Sequence, residues 1–239
     1  EPDGSLNYNN IQSFSSADYA FLFSYAQQYR KIGNLEIDFG GNAKIIYRKV
    51  GDFAHAWGFG LDASAQYKKA NWYFGAMARD ITTTFSAWSF NLDQFKDVFA
   101  ATGNAMPTNS IEVALPRLIL AAGHQFTIKK DFGVYPEINL DMTFDGKRNT
   151  LISSNFTSID PHIGLQLHYK NMLFLRTGVG NIQKETNSDG QRVTTLQPNI
   201  GVGIKVKRIA LDYALTNVGG ASSAIYTNVF SLRIGINRN

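Results

Sequence analysis

The residues best suited to chemistry in this chain are four histidines, His55, His124, His162 and His168, and their spacing argues against a shared site. His162 and His168 fall on one face of an extended segment with Asp160 and Gln166, yet six residues of strand separate them by about 20 Å. That is too far for one metal ion, and a polar lining role suits them better. No HExxH, Walker or Ser-His-Asp arrangement occurs. The chain has no cysteine, which removes a thiol nucleophile, a disulfide framework and any Cys-based metal site. The pieces GFG (58–60) and GVG (178–180 and 201–203) lack a following helix, so they do not read as dinucleotide loops. No enzyme activity, metal or cofactor is expected. Nor is nucleic acid: the net charge is a modest +4, and about nine of the 23 basic residues sit in short turns instead of one patch.

A second set of polar residues is better organised. Glu36, Asp38, Lys44, Arg48, Asp62, Arg79, Glu137, Asp141, Asp160, His162 and Lys205 recur at alternate positions of long segments whose other positions are apolar. In LEIDFGGNAKIIYRK (35–49), Leu35, Ile37, Phe39, Ala43, Ile45 and Tyr47 share one parity, while Glu36, Asp38, Asn42, Lys44 and Arg48 share the other. Side chains alternate across a strand, so the segment has one oily and one wet face. Its length is more than twice the ~5–6 residues of an ordinary soluble strand. A strand crossing an outer membrane accounts for both features.

About eleven such strands are expected, near 16–29, 35–49, 56–68, 72–84, 110–127, 132–144, 159–169, 172–183, 193–206, 208–217 and 225–236. Tight joints near 30–34, 68–71, 128–131, 170–171 and 207–208 alternate with longer connections at 49–55, 85–109, 145–158, 184–192 and 218–224. Short turns at one end and long loops at the other are the pattern of an up-and-down transmembrane barrel. The expected fold class is therefore all-β, one antiparallel barrel domain over 1–239, with the listed charges lining its lumen. Charges of both signs at close spacing favour a paired, plug-like network over an open solute channel. No run of about 18 apolar residues exists for a membrane-spanning helix. The mean hydropathy of −0.18 is that of a barrel in which lipid-facing and lumen-facing residues cancel. Basic turn residues would stand at the headgroup level of outer-membrane lipid or lipopolysaccharide. Eleven is odd where single-chain bacterial barrels are even. The expectation is that an odd number of N-terminal strands precedes this sequence and that 1–15 is an extracellular loop. Pro136 and Pro198 fall inside expected strands and would break ladder bonds there, as kinks or bulges.

The segment FSAWSFNLDQFKDVFAATGNAMPTN (85–109) reads as an extracellular loop carrying a short amphipathic helix. Asn91 and Gln94 have capping-box spacing, and Gly103 suits a helix stop. Leu92, Phe95, Val98 and Phe99 recur at helical spacing. With Trp88 and Phe90 they either pack on the barrel rim or offer a docking surface to a protein partner.

GAMARDITTTFSAWSF (75–90), LPRLILAAG (115–123), FDGKRN (144–149), SIDPHIGLQLHYKN (158–171) and QPNIGVGIKVK (197–207) together resemble the PorV/PorQ family of Bacteroidetes outer-membrane proteins, nearest to PorV-type members of the type IX secretion (sorting) system. The resemblance implies a 14-stranded barrel of the FadL fatty-acid transporter type, three strands longer than this chain. It implies association with the type IX translocon and receipt of secreted cargo by its C-terminal domain, for transfer to the cell surface. No catalysis is implied. The rival reading is a FadL-like channel for hydrophobic solutes.

Overall fold

The computed structural model describes residues 14–33, 35–93, 96–106, 108–187, 189–218 and 227–236. Fifteen strands form a single antiparallel sheet: β1 (Ser16–Ile32), β2 (Leu35–Val50), β3 (Ala54–Lys69), β4 (Trp72–Arg79), β5 (Thr84–Phe90), β6 (Ser110–Ala114), β7 (Arg117–His124), β8 (Phe126–Lys129), β9 (Phe132–Thr143), β10 (Ile152–Ser153), β11 (Ser158–Tyr169), β12 (Leu173–Thr186), β13 (Arg192–Val206), β14 (Ile209–Thr216) and β15 (Thr227–Ile234). One helix, α1 (Lys96–Thr102), lies between β5 and β6.

The main path runs β1-β2-β3-β4-β7-β9-β11-β12-β13-β14-β15, every neighbour next in the chain apart from short pieces that extend these strands. Among the described residues, β1 and β15 have no partner on their outer edges, so the sheet is open. With eleven antiparallel members on the path, these two edge strands run the same way.

Most of the strand breaks have a local cause. β4 and β5 are halves of one strand along β3: the first ladder ends at Ala63↔Ala78 and the second begins at Phe59↔Phe85. Residues 79–84 thus face residues 60–62 across a wide bulge. Asp80 and Thr83 hold φ of 56° and 61° there, a conformation that is an outlier for a β-branched residue. Hydrogen bonds fix it: Ile81 N donates to Leu61 O at 2.9 Å, and Thr83 N to Asp80 O at 2.8 Å. β6 and β7 are likewise one strand, interrupted at Leu115-Pro116, and both line the β4–β5 edge.

The β7–β8 break has a different origin. Gly123↔Glu137 and Phe126↔Val134 lie in the same register, but the two pairs between them are missing opposite Pro136. Proline has no N–H to give, so the ladder skips without slipping. Pro198 stands just beyond Asn199↔Thr216, where the β13–β14 ladder stops.

The connections keep the expected sidedness. Two to three residues join β1–β2, β3–β4, β8–β9, β11–β12 and β13–β14 at one end. In the β11–β12 turn, Lys170 and Asn171 both take positive φ, 52° and 51°, the backbone of a type I′ hairpin. At the other end the connections differ in length from expectation. Strand pairing extends further, so 49–55 shrinks to 51–53, and 85–109 shrinks to 91–109 because β5 continues through Phe90. The expected loop at 1–15 falls almost wholly outside the described residues.

The distribution of burial is inverted. Among the described residues the buried apolar side chains are Ala54 and Ala56, whereas Lys44, Asp62, Asp80, Thr84, Ser86, Thr143 and Ser158 are buried. In a water-soluble domain large apolar residues fill the interior and charges avoid it. Here Phe23, Trp57, Phe59, Leu61, Leu175 and Phe230 are among many large apolar residues at 45 to 75% exposure.

Candidate functional site

Cross-strand register assigns every strand residue to a face. Lys44↔Gly60 and Arg48↔Ala56 place the even positions of β2 on the more buried, inner face, and the ladders carry that assignment across the sheet. Glu36, Asp38, Lys44, Arg48, Asp62, Arg79, Glu137, Asp141, Asp160, His162 and Lys205 all fall on it.

Most of these charges are paired. Lys44 Nζ donates to Asp62 Oδ1 at 2.7 Å and also to Asp80 Oδ1. Asp62 accepts the Asp80 backbone N–H at 2.9 Å, and the Thr84 hydroxyl donates to Asp80 at 2.5 Å. All three ionic side chains are under one-tenth exposed. Burying two carboxylates beside one ammonium is tolerable only with these extra donors. Arg48 donates to Asp18 at 3.1 Å and to Glu112 at 2.8 Å, and lies 5.1 Å from the Trp88 ring centroid. Further along, Arg117 meets Asp141 at 3.2 Å, His162 lies 3.5 Å from Asp160, and Arg176 bridges Gln166 and Asp212 at 2.8 and 2.6 Å. Lys31 and Lys68 flank Glu36. Asp38 and Lys205 face the same side without an ion-pair partner among the described residues.

These bonds hug the wall. Lys44 to Asp80, and Arg176 to Asp212, each reach past the neighbouring strand to the next one along. The strand passed over carries glycine at the crossing. A Cβ on Gly60 would overlap the Thr84 hydroxyl, and one on Gly203 would overlap Asp212 and stand 3.0 Å from Arg176 Nη1. Gly60 of the GFG piece and Gly203 of the second GVG piece are therefore clearance for polar and charged side chains lying flat on the inner face. Among the described residues the ion pairs of the expected plug-like network run along the wall. Arg117, Arg176, Asp212 and Glu112 were not singled out from sequence, although strand parity marks Arg176 and Asp212. Asp80 stands in the bulge, where parity carries no signal.

The opposite face is apolar in bands. Near the long-connection end, Tyr19, Tyr47 and Trp57 form a row across β1–β3, with ring centroids 6.3 and 4.7 Å apart. Near the tight-turn end, Tyr67 and Phe74 lie 6.0 Å apart, and Phe132 and Tyr169 4.7 Å. Between the rows the outer face stays apolar, aliphatic at Ala43, Leu61, Ala63, Leu120 and Leu140 and aromatic at Phe21, Phe23, Phe59 and Phe85. Ten residues of β3 separate Trp57 from Tyr67, about 34 Å of strand. At the usual barrel tilt this spans a height of about 25 Å.

The 85–109 residues divide. Trp88 and Phe90 belong to β5 and pair with Ala56 and Ala54, which puts them on the inner face. Trp88 Nε1 donates to Glu112 at 2.9 Å. Both residues are thereby removed from the expected loop surface, because the strand continues six residues further than the pattern suggested. Leu92 and Phe99 are half-buried in the connection. Phe95 and Gln94 lie outside the described residues, as does the side chain of Val98. Gly103 follows α1 with φ of 67°, the left-handed stop expected of it.

The connection from β9 to β11 is tied down at the same end. Ser158 Oγ donates to Gly146 O at 2.9 Å and accepts Arg148 N at 2.9 Å. A hydrogen bond from Arg148 holds the Asp145 carboxyl below the usual carboxylate range. Among the described residues no cluster of three or more His, Asp or Glu could hold a metal.

No protein-family model and no curated protein sequence matches the chain. Among solved structures the chain is similar to the β domain of the Bordetella autotransporter Brka. The TM-score is 0.51 over 91% of this chain and 88% of that one, at 11% identity. The likeness is one of fold. It spans the eleven-strand path, not a local motif.

Proposed function

We propose that this chain forms the wall of an outer-membrane β-barrel and serves as a non-enzymatic accessory subunit of protein secretion. The observation that carries the membrane part is the uncharged, apolar outer face between the two aromatic rows, set opposite a charged inner face. An apolar band of about 25 Å between aromatic girdles, with polar residues inside, is what hydrocarbon selects. The fold likeness to an autotransporter β domain supports the same placement.

The narrower role, binding the type IX translocon or the C-terminal domains of secreted cargo in a Bacteroidetes-like outer membrane, rests on the sequence resemblance to PorV/PorQ proteins. The half-buried Leu92 and Phe99 keep the 91–109 connection as the partner-binding element, without Trp88 and Phe90. A channel for hydrophobic solutes is less well supported, since the inner face offers Lys44, Arg48, Asp62, Arg117 and Arg176 in place of a continuous apolar path.

Affinity purification of the full chain from native envelopes in mild detergent, followed by mass spectrometry, tests the role. The expected result is a large envelope protein at fixed stoichiometry, lost when residues 92–108 are replaced by a short Gly-Ser turn while the barrel stays heat-modifiable. Recovery with bound lipophilic solute and no stoichiometric protein would contradict it.

A further inference from the structure

The tight-turn end carries a feature that the secretion role does not use. Beneath the β8–β9 and β11–β12 turns, the outer face is indented by a groove of about 400 Å³. Its apolar walls are Phe132, Val134, Leu167, Tyr169, Leu173 and Leu175, all placed outward by the pairs Tyr169↔Phe132, Leu167↔Val134, Tyr169↔Leu173 and Leu167↔Leu175. The two turns above it each carry a lysine, Lys129 and Lys170. Lys129 follows the groove-lining Ile128 and pairs with Phe132 across a register shift at the β8–β9 turn. Lys170 lies 5.2 Å from the Tyr169 ring centroid, on the other side of the Phe132–Tyr169 ring pair. The two turns are locked together, since Lys170 N donates to Asp131 O at 2.6 Å. Asp131 is the one carboxylate between them.

At the β1–β2 and β3–β4 turns, by contrast, Lys31 and Lys68 turn inward to Glu36. Lys129 has no ion pair among the described residues. An apolar groove facing hydrocarbon, with turn lysines above it at headgroup depth, has the charge and shape of a site for one lipid. We propose that this groove holds an anionic glycerophospholipid, its acyl chain along Leu167 and Leu175 and its phosphate between Lys129 and Lys170. The inference rests on the outer-membrane reading, which turns this end toward the periplasm and so toward the phospholipid leaflet.

The test uses the full chain in mixed micelles with phosphatidylglycerol or phosphatidylcholine, counting retained lipid per protein by native mass spectrometry. Phosphatidylglycerol is expected to be retained selectively. Each of Lys129→Gln and Lys170→Gln should weaken its retention about fivefold, the usual effect of one cation at an anionic surface. Lys69→Gln, at a turn without the groove, should leave it unchanged. Equal retention of the two lipids, an equal loss with Lys69→Gln, or stronger retention of lipid A at the same lysines would overturn the site. A protein that stays in solution after detergent removal would overturn the membrane reading itself, and the lipid site with it.

Discussion

At the scale of single residues, the decisive contrast is between a buried charge and an exposed one. Lys44 is held between Asp62 and Asp80 with side chains less than one-tenth exposed. Lys44→Met leaves two neighbouring carboxylates without their cation, and removal of one partner from a buried pair costs about 3–5 kcal/mol. The urea midpoint for loss of the heat-modifiable form should drop markedly. Lys49→Met breaks an ion pair with Asp52 that is largely in solvent, and should leave the midpoint where it is. Equal shifts for the two variants would mean that the Lys44 cluster is hydrated and carries no special weight. Lys44 and Asp62 were legible from sequence because each sits on a regular strand. Asp80 was not. Its side chain arrives through a bulge whose backbone departs from the two-residue period, and it is that bulge which completes the cluster.

Among the elements, the strands were readable and their ends were not. Alternation placed all eleven long strands, because one hydrophobic row per strand is a signal repeated many times over. Ends depend on which hydrogen bonds the next strand supplies. β5 continues through Trp88 and Phe90 because β3 and β6 flank it, and this moved two residues from a presumed docking loop to the inner face. Pro136 shows the converse: it breaks a ladder without ending a strand. The β9–β11 connection carries its own prediction. Arg148 lowers the Asp145 pKa, so the tie is fully present above the unfolded carboxyl value of about 3.9 and is lost as pH falls through the lower folded value. Limited proteolysis of 144–157 with an acid-stable protease should therefore stay slow at pH 5 and quicken toward pH 2–3. In Arg148→Met the pair is absent at every pH, so cleavage should already be fast at pH 5 and lose this pH dependence. An unchanged profile in that variant would remove the ion pair from the account of how this connection is held.

For the whole molecule, the governing fact is the inverted distribution of polarity. Glycine at the crossings lets charged side chains lie along the inner wall, and among the described strands the outer face between the aromatic rows carries no charge and is left to hydrocarbon. The parallel orientation of β1 and β15, a consequence of eleven antiparallel strands, means that direct pairing of these edges would be parallel. Closure in wholly antiparallel fashion requires an odd number of intervening strands. Absence of cysteine makes the central claim directly measurable. Single cysteines introduced one at a time from position 160 to 167 of β11, in protein reconstituted into liposomes, can be probed with a membrane-impermeant maleimide. Reactivity should alternate with a period of two, low at 161, 163, 165 and 167, where side chains meet lipid, and higher at 160, 162, 164 and 166, whose inner-face positions are only half-buried. Reactivity that is uniform along the segment, or high at Ile163→Cys, Leu165→Cys and Leu167→Cys, would contradict it.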